Sequence, residues 1–110
     1  SKGLRGKVEY NYIKPEGKIR ILVFGDSMTI GVDVNDPYSF QLERMLPKAE
    51  VINFGGDGYG HDQMLIYLKE EGIKYHPDIV ILGFILGDME RNLLEFRSYA
   101  KPRFYLKDNK

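Results

Sequence analysis

Apolar runs alternate with amphipathic stretches along this chain, and the alternation predicts most of its elements. Ile19 to Phe24 is apolar and β-branched and is bounded by Gly17 and Gly25, which predicts a buried strand. Asp36 and Pro37 predict a helix start, with the Asp as N-cap and the Pro in the first helical position. Phe40, Leu42, Met45 and Leu46 follow, and Pro47 ends the segment. Val51 to Phe54 reads as a second strand, stopped by Gly55 and Gly56, and a glycine-rich loop runs on to Gly60. Met64, Leu65, Leu68 and Ile73 then recur near helical spacing, with Gly72 at the helix end. Pro77 and Asp78 lead into Ile79 to Ile85, a continuous apolar run that reads as a central parallel strand covered on both faces.

The flanks are less regular. Ser1 to Lys18 is polar and punctuated by Gly3, Gly6, Pro15 and Gly17, and reads as an irregular lead-in with a short edge strand over Val8 to Ile13. A polar stretch after Gly87 predicts a last helix to about Phe96, and the tail from Tyr99 to Lys110 is mixed and basic, broken by Pro102. No repeat or low-complexity segment interrupts the order strand, helix, strand, helix, strand, helix. That order predicts an α/β domain with a parallel sheet and helices on both faces. At 110 residues the chain suits a single domain, residues 1–110. Three strands are few where open parallel α/β sheets usually have about five. We therefore expect a domain that is incomplete at its C-terminus. A first residue of Ser in place of Met fits a trimmed chain from which targeting signals have been lost.

Composition narrows the classes. Lys plus Arg is 16 and Asp plus Glu is 16, so the formal net charge is zero, which argues against nucleic acid bound through bulk charge. There are no cysteines, which excludes disulfides, thiolate catalysis and Cys-ligated zinc. No clear set of His and carboxylates suggests a metal site, and no cofactor motif occurs; a phosphate-binding G-x-x-x-x-G-K-[ST] loop is missing. The longest apolar run, Ile79 to Leu86, is far short of a membrane span. The sequence does not fix a compartment.

Candidate chemistry follows from the architecture, because open α/β sheets bind ligands at the carboxyl ends of their strands. Three loops leave those ends: Gly25-Asp26-Ser27-Met28-Thr29, Asn53 to His61, and Gly87-Asp88. Each is rich in glycine, polar or acidic residues directly after an apolar strand. Ser27 follows a glycine that allows a sharp turn and close approach, and the residues after it open a helical turn whose free N–H groups suit an oxyanion. Taken alone, Gly-Asp-Ser is also an ordinary turn and helix cap. His61 is the histidine on the strand-end side, fit to act as a base if it reaches Ser27, and otherwise simply the start of the next helix. His76 lies at the opposite end of the sheet. Asp26 and Asp57 are further carboxylates near Ser27, each as well explained by a turn that bonds its own backbone.

The run Ile21-Leu22-Val23-Phe24-Gly25-Asp26-Ser27-Met28-Thr29-Ile30-Gly31 resembles the first sequence block of the SGNH/GDSL serine hydrolases. Val51 to Gly60 resembles the second block, and Pro77 to Phe84 with Gly87, Asp88 and Asn92 resembles the third. Leu4-Arg5 and Lys101-Pro102-Arg103-Phe104 add to the likeness, which covers nearly the whole chain. The resemblance implies a three-layer α/β/α, flavodoxin-like SGNH fold acting on small acyl esters, including acetyl esters of carbohydrates. It implies Ser27 as nucleophile and Gly58 as a backbone oxyanion donor. Asp88 is the expected third-block Asp, and either a backbone N–H or Asn92 is a candidate substitute for the missing third-block donor. Two departures stand against it. The third-block Asn is replaced by Gly87, and the family's Asp-x-x-His near the end of the domain does not occur before Lys110. The expected outcome is an ester hydrolase or O-acyltransferase that is weak or inactive as this chain. The rival expectation is a non-catalytic module binding a carbohydrate or a protein partner. A flavodoxin- or receiver-like binding domain is weaker still. The exposed sheet edge of a truncated domain also predicts self-association.

Overall fold

The computed structural model of the chain describes residues 3–6 and 9–108. A three-stranded parallel sheet forms its centre, with β1 (Ile19–Gly25) between β2 (Ala49–Gly55) and β3 (Ile79–Leu82). Among the described residues four helices accompany it: α1 (Ser27–Ile30), α2 (Tyr38–Met45), α3 (His61–Glu70) and α4 (Leu86–Arg91), with a 3₁₀ turn over Gly72–Tyr75. The α/β order expected from the sequence is therefore present.

Side chains alternate across the sheet and divide its core in two. Ile21 and Val23 of β1 join Ala49 and Val51 of β2 beneath Leu42 of α2. Leu22 and Phe24 face the other way and join Ile52, Phe54, Met64 of α3 and Tyr75. Phe24 and Phe54 stack with centroids 4.8 Å apart. Full burial of one such side chain contributes about 1.5–3 kcal/mol, so the β1–β2 half carries most of the hydrophobic stabilisation. Arg20 is the polar exception. It is wholly buried on β1, and its guanidinium donates to Glu50 Oε2 at 2.6 Å, Tyr75 O at 2.8 Å and Tyr12 O at 3.0 Å. These acceptors satisfy the charge at the amino-terminal end of the sheet, as a buried cation requires.

Several boundaries differ from the sequence expectations. Helix α2 starts at Tyr38 with Pro37 in the cap position, and Asp36 makes no cap. The Asp36 carboxylate forms a bidentate pair with Arg44, at 2.6 Å and 2.8 Å. Of the edge strand expected over Val8 to Ile13, Val8 lies outside the described residues and residues 9–13 form no strand. Tyr10 is buried there all the same, its hydroxyl donating to Val51 O at 3.3 Å. The last helix ends at Arg91 and not near Phe96.

The largest difference concerns the third strand. Ile79 to Ile85 reads as a covered central strand, yet β3 stops at Leu82 and pairs only with β1. Ile79, Val80 and Leu82 are 46%, 44% and 50% exposed. Apolar grooves of about 150 Å³ and 410 Å³ border the sheet on this side, the first lined by Phe24, His61, Met64, Leu68, Val80 and Leu82. No described segment pairs with its outer edge, and its cover is partial: Ile81 packs against the cluster of Ile21, Val23 and Val51 while its neighbours stay about half exposed.

Candidate functional site

The carboxyl ends of all three strands come together, as the sequence leads one to expect. Gly56 N–H donates to Gly25 O at 3.0 Å and Gly83 N–H donates to Phe24 O at 2.7 Å. Helix α1 packs straight onto this junction. A Cβ at Gly25 would lie 1.9 Å from Thr29 Oγ1, so only glycine permits the tight strand-to-helix turn that presents Ser27. Asp26 caps α1, its Oδ1 accepting from Met28 N–H at 2.9 Å. Ser27 is half-buried at the first position of the helix, and its hydroxyl bonds to no other described residue.

Arg91, which the sequence reading did not single out, ties the loops together. Its Nη1 donates to Asp88 Oδ1 at 2.5 Å, Tyr59 O at 3.0 Å and Asp26 Oδ2 at 3.1 Å. One guanidinium thus joins the first-strand loop, the second-strand loop and α4. The signal for it was available: an Arg three residues after an Asp on a short helix faces that Asp. Asp88 is fully buried, and its Oδ2 has no hydrogen-bond partner among the described residues. Burial pushes the Asp88 carboxyl above the usual carboxylate range, the charge of Asp26 adds to this, and Arg91 and His61 oppose it.

Of the two readings of His61, the structure shows the start of the next helix, and Asn92 lies beside it. His61 opens α3 and stacks on Phe84, with centroids 4.8 Å apart. No hydrogen bond joins it to Ser27, and its buried Nε2 has no partner among the described residues. Asn92 Oδ1 accepts from Asp62 N–H at 3.2 Å, while its Nδ2 lies 3.4 Å from His61 Nδ1. Both ends of the Asn92 carboxamide are thereby engaged at the start of α3, whose cap position is held by Gly60 and so lacks a side chain of its own.

Gly58 stands at the second loop with φ +70°, in the left-handed region. Its N–H and that of Ser27 donate to no other described residue. Gly87 is exposed in the first turn of α4, and a Cβ there would meet nothing within 4 Å. Asp57 keeps an exposed carboxylate. No group of three or more His and carboxylate residues suited to a metal occurs among the described residues, and no described helix is long and apolar enough to cross a membrane.

The fold and the site define a class no finer than an α/β domain with a polar cluster at the carboxyl edge of a parallel sheet. Comparison with family models, curated proteins and solved structures finds no match to this chain.

Proposed function

We propose that this chain carries the nucleophile half of a serine ester hydrolase of the SGNH/GDSL kind, within a flavodoxin-like arrangement. The observation that supports this best is the presentation of Ser27. Its hydroxyl stands free on a glycine-dependent turn, at the point where three strand-end loops are bound together by Arg91. In this reading Ser27 Oγ attacks the carbonyl carbon of a small acyl ester and forms an Oγ–C bond. The Ser27 and Gly58 N–H groups receive the oxyanion. The hydroxyl proton passes to a base, the alcohol departs, and water releases the acyl group. No described histidine is hydrogen-bonded to Ser27, so the base has to come from another segment or another chain.

The test is the intact mass after exposure to a fluorophosphonate, with and without imidazole as an external base, and with Ser27→Ala as control. A single adduct that imidazole accelerates and Ser27→Ala abolishes supports the reading. No adduct under either condition, or an adduct that survives Ser27→Ala, overturns it. A second reading, a non-catalytic module that binds a carbohydrate or protein partner at the same place, rests on Gly87, which supplies no side-chain donor where the resemblance leads one to expect Asn. Saturable binding of an acetylated oligosaccharide without adduct formation favours that second reading.

A further inference from the structure

The segment after α4 folds back onto the Gly58 loop. It closes on itself through Arg97 N–H to Tyr99 O at 3.0 Å and Lys101 N–H to Glu95 O at 2.9 Å, with a bridge between Phe96 and Ala100. Its base is nailed to α3 by Lys101. The buried Lys101 Nζ pairs with Asp62 Oδ2 at 2.5 Å and also donates to Pro102 O at 2.8 Å and Leu94 O at 3.1 Å. From this base two side chains reach the second loop. Tyr99 donates its hydroxyl hydrogen to Asp57 O at 2.9 Å, and Arg97 Nη1 donates to Gly58 O at 3.3 Å.

Those carbonyls matter because of the turn they belong to. Tyr59 N–H donates to Gly56 O at 3.2 Å, which closes a four-residue turn with Asp57 and Gly58 at its centre. Gly58 has φ +70° and Asp57 does not have positive φ, the pattern of a type II turn. Types I and II differ by a flip of the central peptide, and glycine in the third position tolerates both. That central peptide is the one joining Asp57 C=O to Gly58 N–H. No peptide here is cis, so the two groups point in opposite directions across one plane. A partner on Asp57 O therefore dictates where Gly58 N–H points.

We propose that Tyr99 is a positioning residue that selects the turn state in which Gly58 N–H faces away from the tail, with Arg97 as a weaker second hold. The proposal rests on the hydrolase reading for its purpose, since a flipped peptide would withdraw the second oxyanion donor. It does not rest on that reading for its structural content.

The experiment compares the parent with Tyr99→Phe, which keeps the ring and removes only the hydroxyl, and with Arg97→Ala. Amide hydrogen exchange and ¹⁵N line shapes of residues 56–60 are followed by NMR, alongside fluorophosphonate labelling of Ser27. In Tyr99→Phe the Gly58 amide is expected to broaden or split, with β1 and β2 amides unchanged. The labelling rate at saturation is expected to fall about 10-fold or more at constant half-saturating concentration, within the loss typical of one oxyanion donor. Arg97→Ala is expected to move both in the same direction by less. A Gly58 amide indistinguishable from the parent in Tyr99→Phe overturns the proposal, as does an unchanged labelling rate. If the parent itself is never labelled, the hydrolase reading falls, and the amide data alone decide the positioning role.

Discussion

The two strands that flank β1 are both apolar and both pair with it in parallel, yet they live in different surroundings. On β2, Val51, Ile52 and Phe54 have no exposure, and Tyr10 covers the strand from the N-terminal segment while Arg5 bridges to Asn53 at its outer edge. On β3, three of four residues are roughly half exposed and no described residue pairs with the outer edge. Apolar sequence measures what a strand gains from cover. Whether cover is present depends on segments elsewhere in the chain or in a partner.

The sharpest way to break this contrast is a matched pair of truncations. Phe54→Ala removes a ring from the centre of the larger core cluster and is expected to cost about 3–5 kcal/mol in urea unfolding. Leu82→Ala removes a half-exposed side chain and is expected to cost less than about 1 kcal/mol. Comparable losses at both positions would mean that β3 is covered in solution. Repeating the measurement over a range of protein concentrations identifies a second copy as the cover, because stability shared between chains rises with concentration. That outcome would bear out the self-association expected from the exposed edge.

The same contrast explains what was legible in the sequence. Strands β1 and β2, helix α3 and the convergence of three loops at one sheet edge follow from local pattern, since period and glycine punctuation are local properties. The cover of β3 is not local, and Ile79-Val80-Ile81-Leu82 reads alike whether packed on two faces or on neither. The polar wiring of the site escaped for a similar reason. Ser27, Asp26, Gly58 and Asp88 could be singled out from strand-end position and from resemblance. Spacing pairs Arg91 with Asp88, but the reach of Arg91, Tyr99 and Lys101 across 65, 42 and 39 residues of chain to Asp26, Asp57 and Asp62 lies at distances where spacing carries no information. The bond from Asn92 to the start of α3 was equally out of reach of local pattern.

Glycines at the two strand ends sharpen the comparison at smaller scale. A Cβ at Gly55, which ends β2, would lie 2.3 Å from Ile30 N, a backbone atom with nowhere to move. Gly55→Ala is therefore expected to cost roughly 1–3 kcal/mol, the usual range for overpacking a filled site. Gly87, beyond β3, has open space around it. Gly87→Ala is expected to leave stability unchanged or raise it by up to about 1 kcal/mol, through helix propensity alone. Thermal midpoints of the two variants settle the matter, and a loss at Gly87 as large as that at Gly55 would mean that something packs against the start of α4 in solution.

The two carboxylates that bracket β3 give the smallest effect. Asp78 precedes the strand; the Lys14 ammonium at 2.6 Å and the Arg20 N–H at 2.7 Å hold its carboxyl below the usual range. Asp88 follows the strand, and burial holds its carboxyl above that range. The two shifts have opposite sign in linkage. Asp78 contributes stability that is present above its unfolded value near 3.8 and is lost as pH falls through its folded value. Asp88 contributes stability that is present below 3.8 and is lost as pH rises through its raised value. The advantage of the parent over Asp78→Asn should thus grow as pH rises through the acid range. Over the interval just above, Asp88→Asn should gain on the parent, because the variant carries no buried charge for Arg91 to offset. Urea midpoints between pH 3 and pH 7 read both slopes. An Asp88→Asn variant that instead loses ground as pH rises would mean that the ion pair with Arg91 outweighs the cost of burial. The loop-joining role of Arg91 would then be a source of stability.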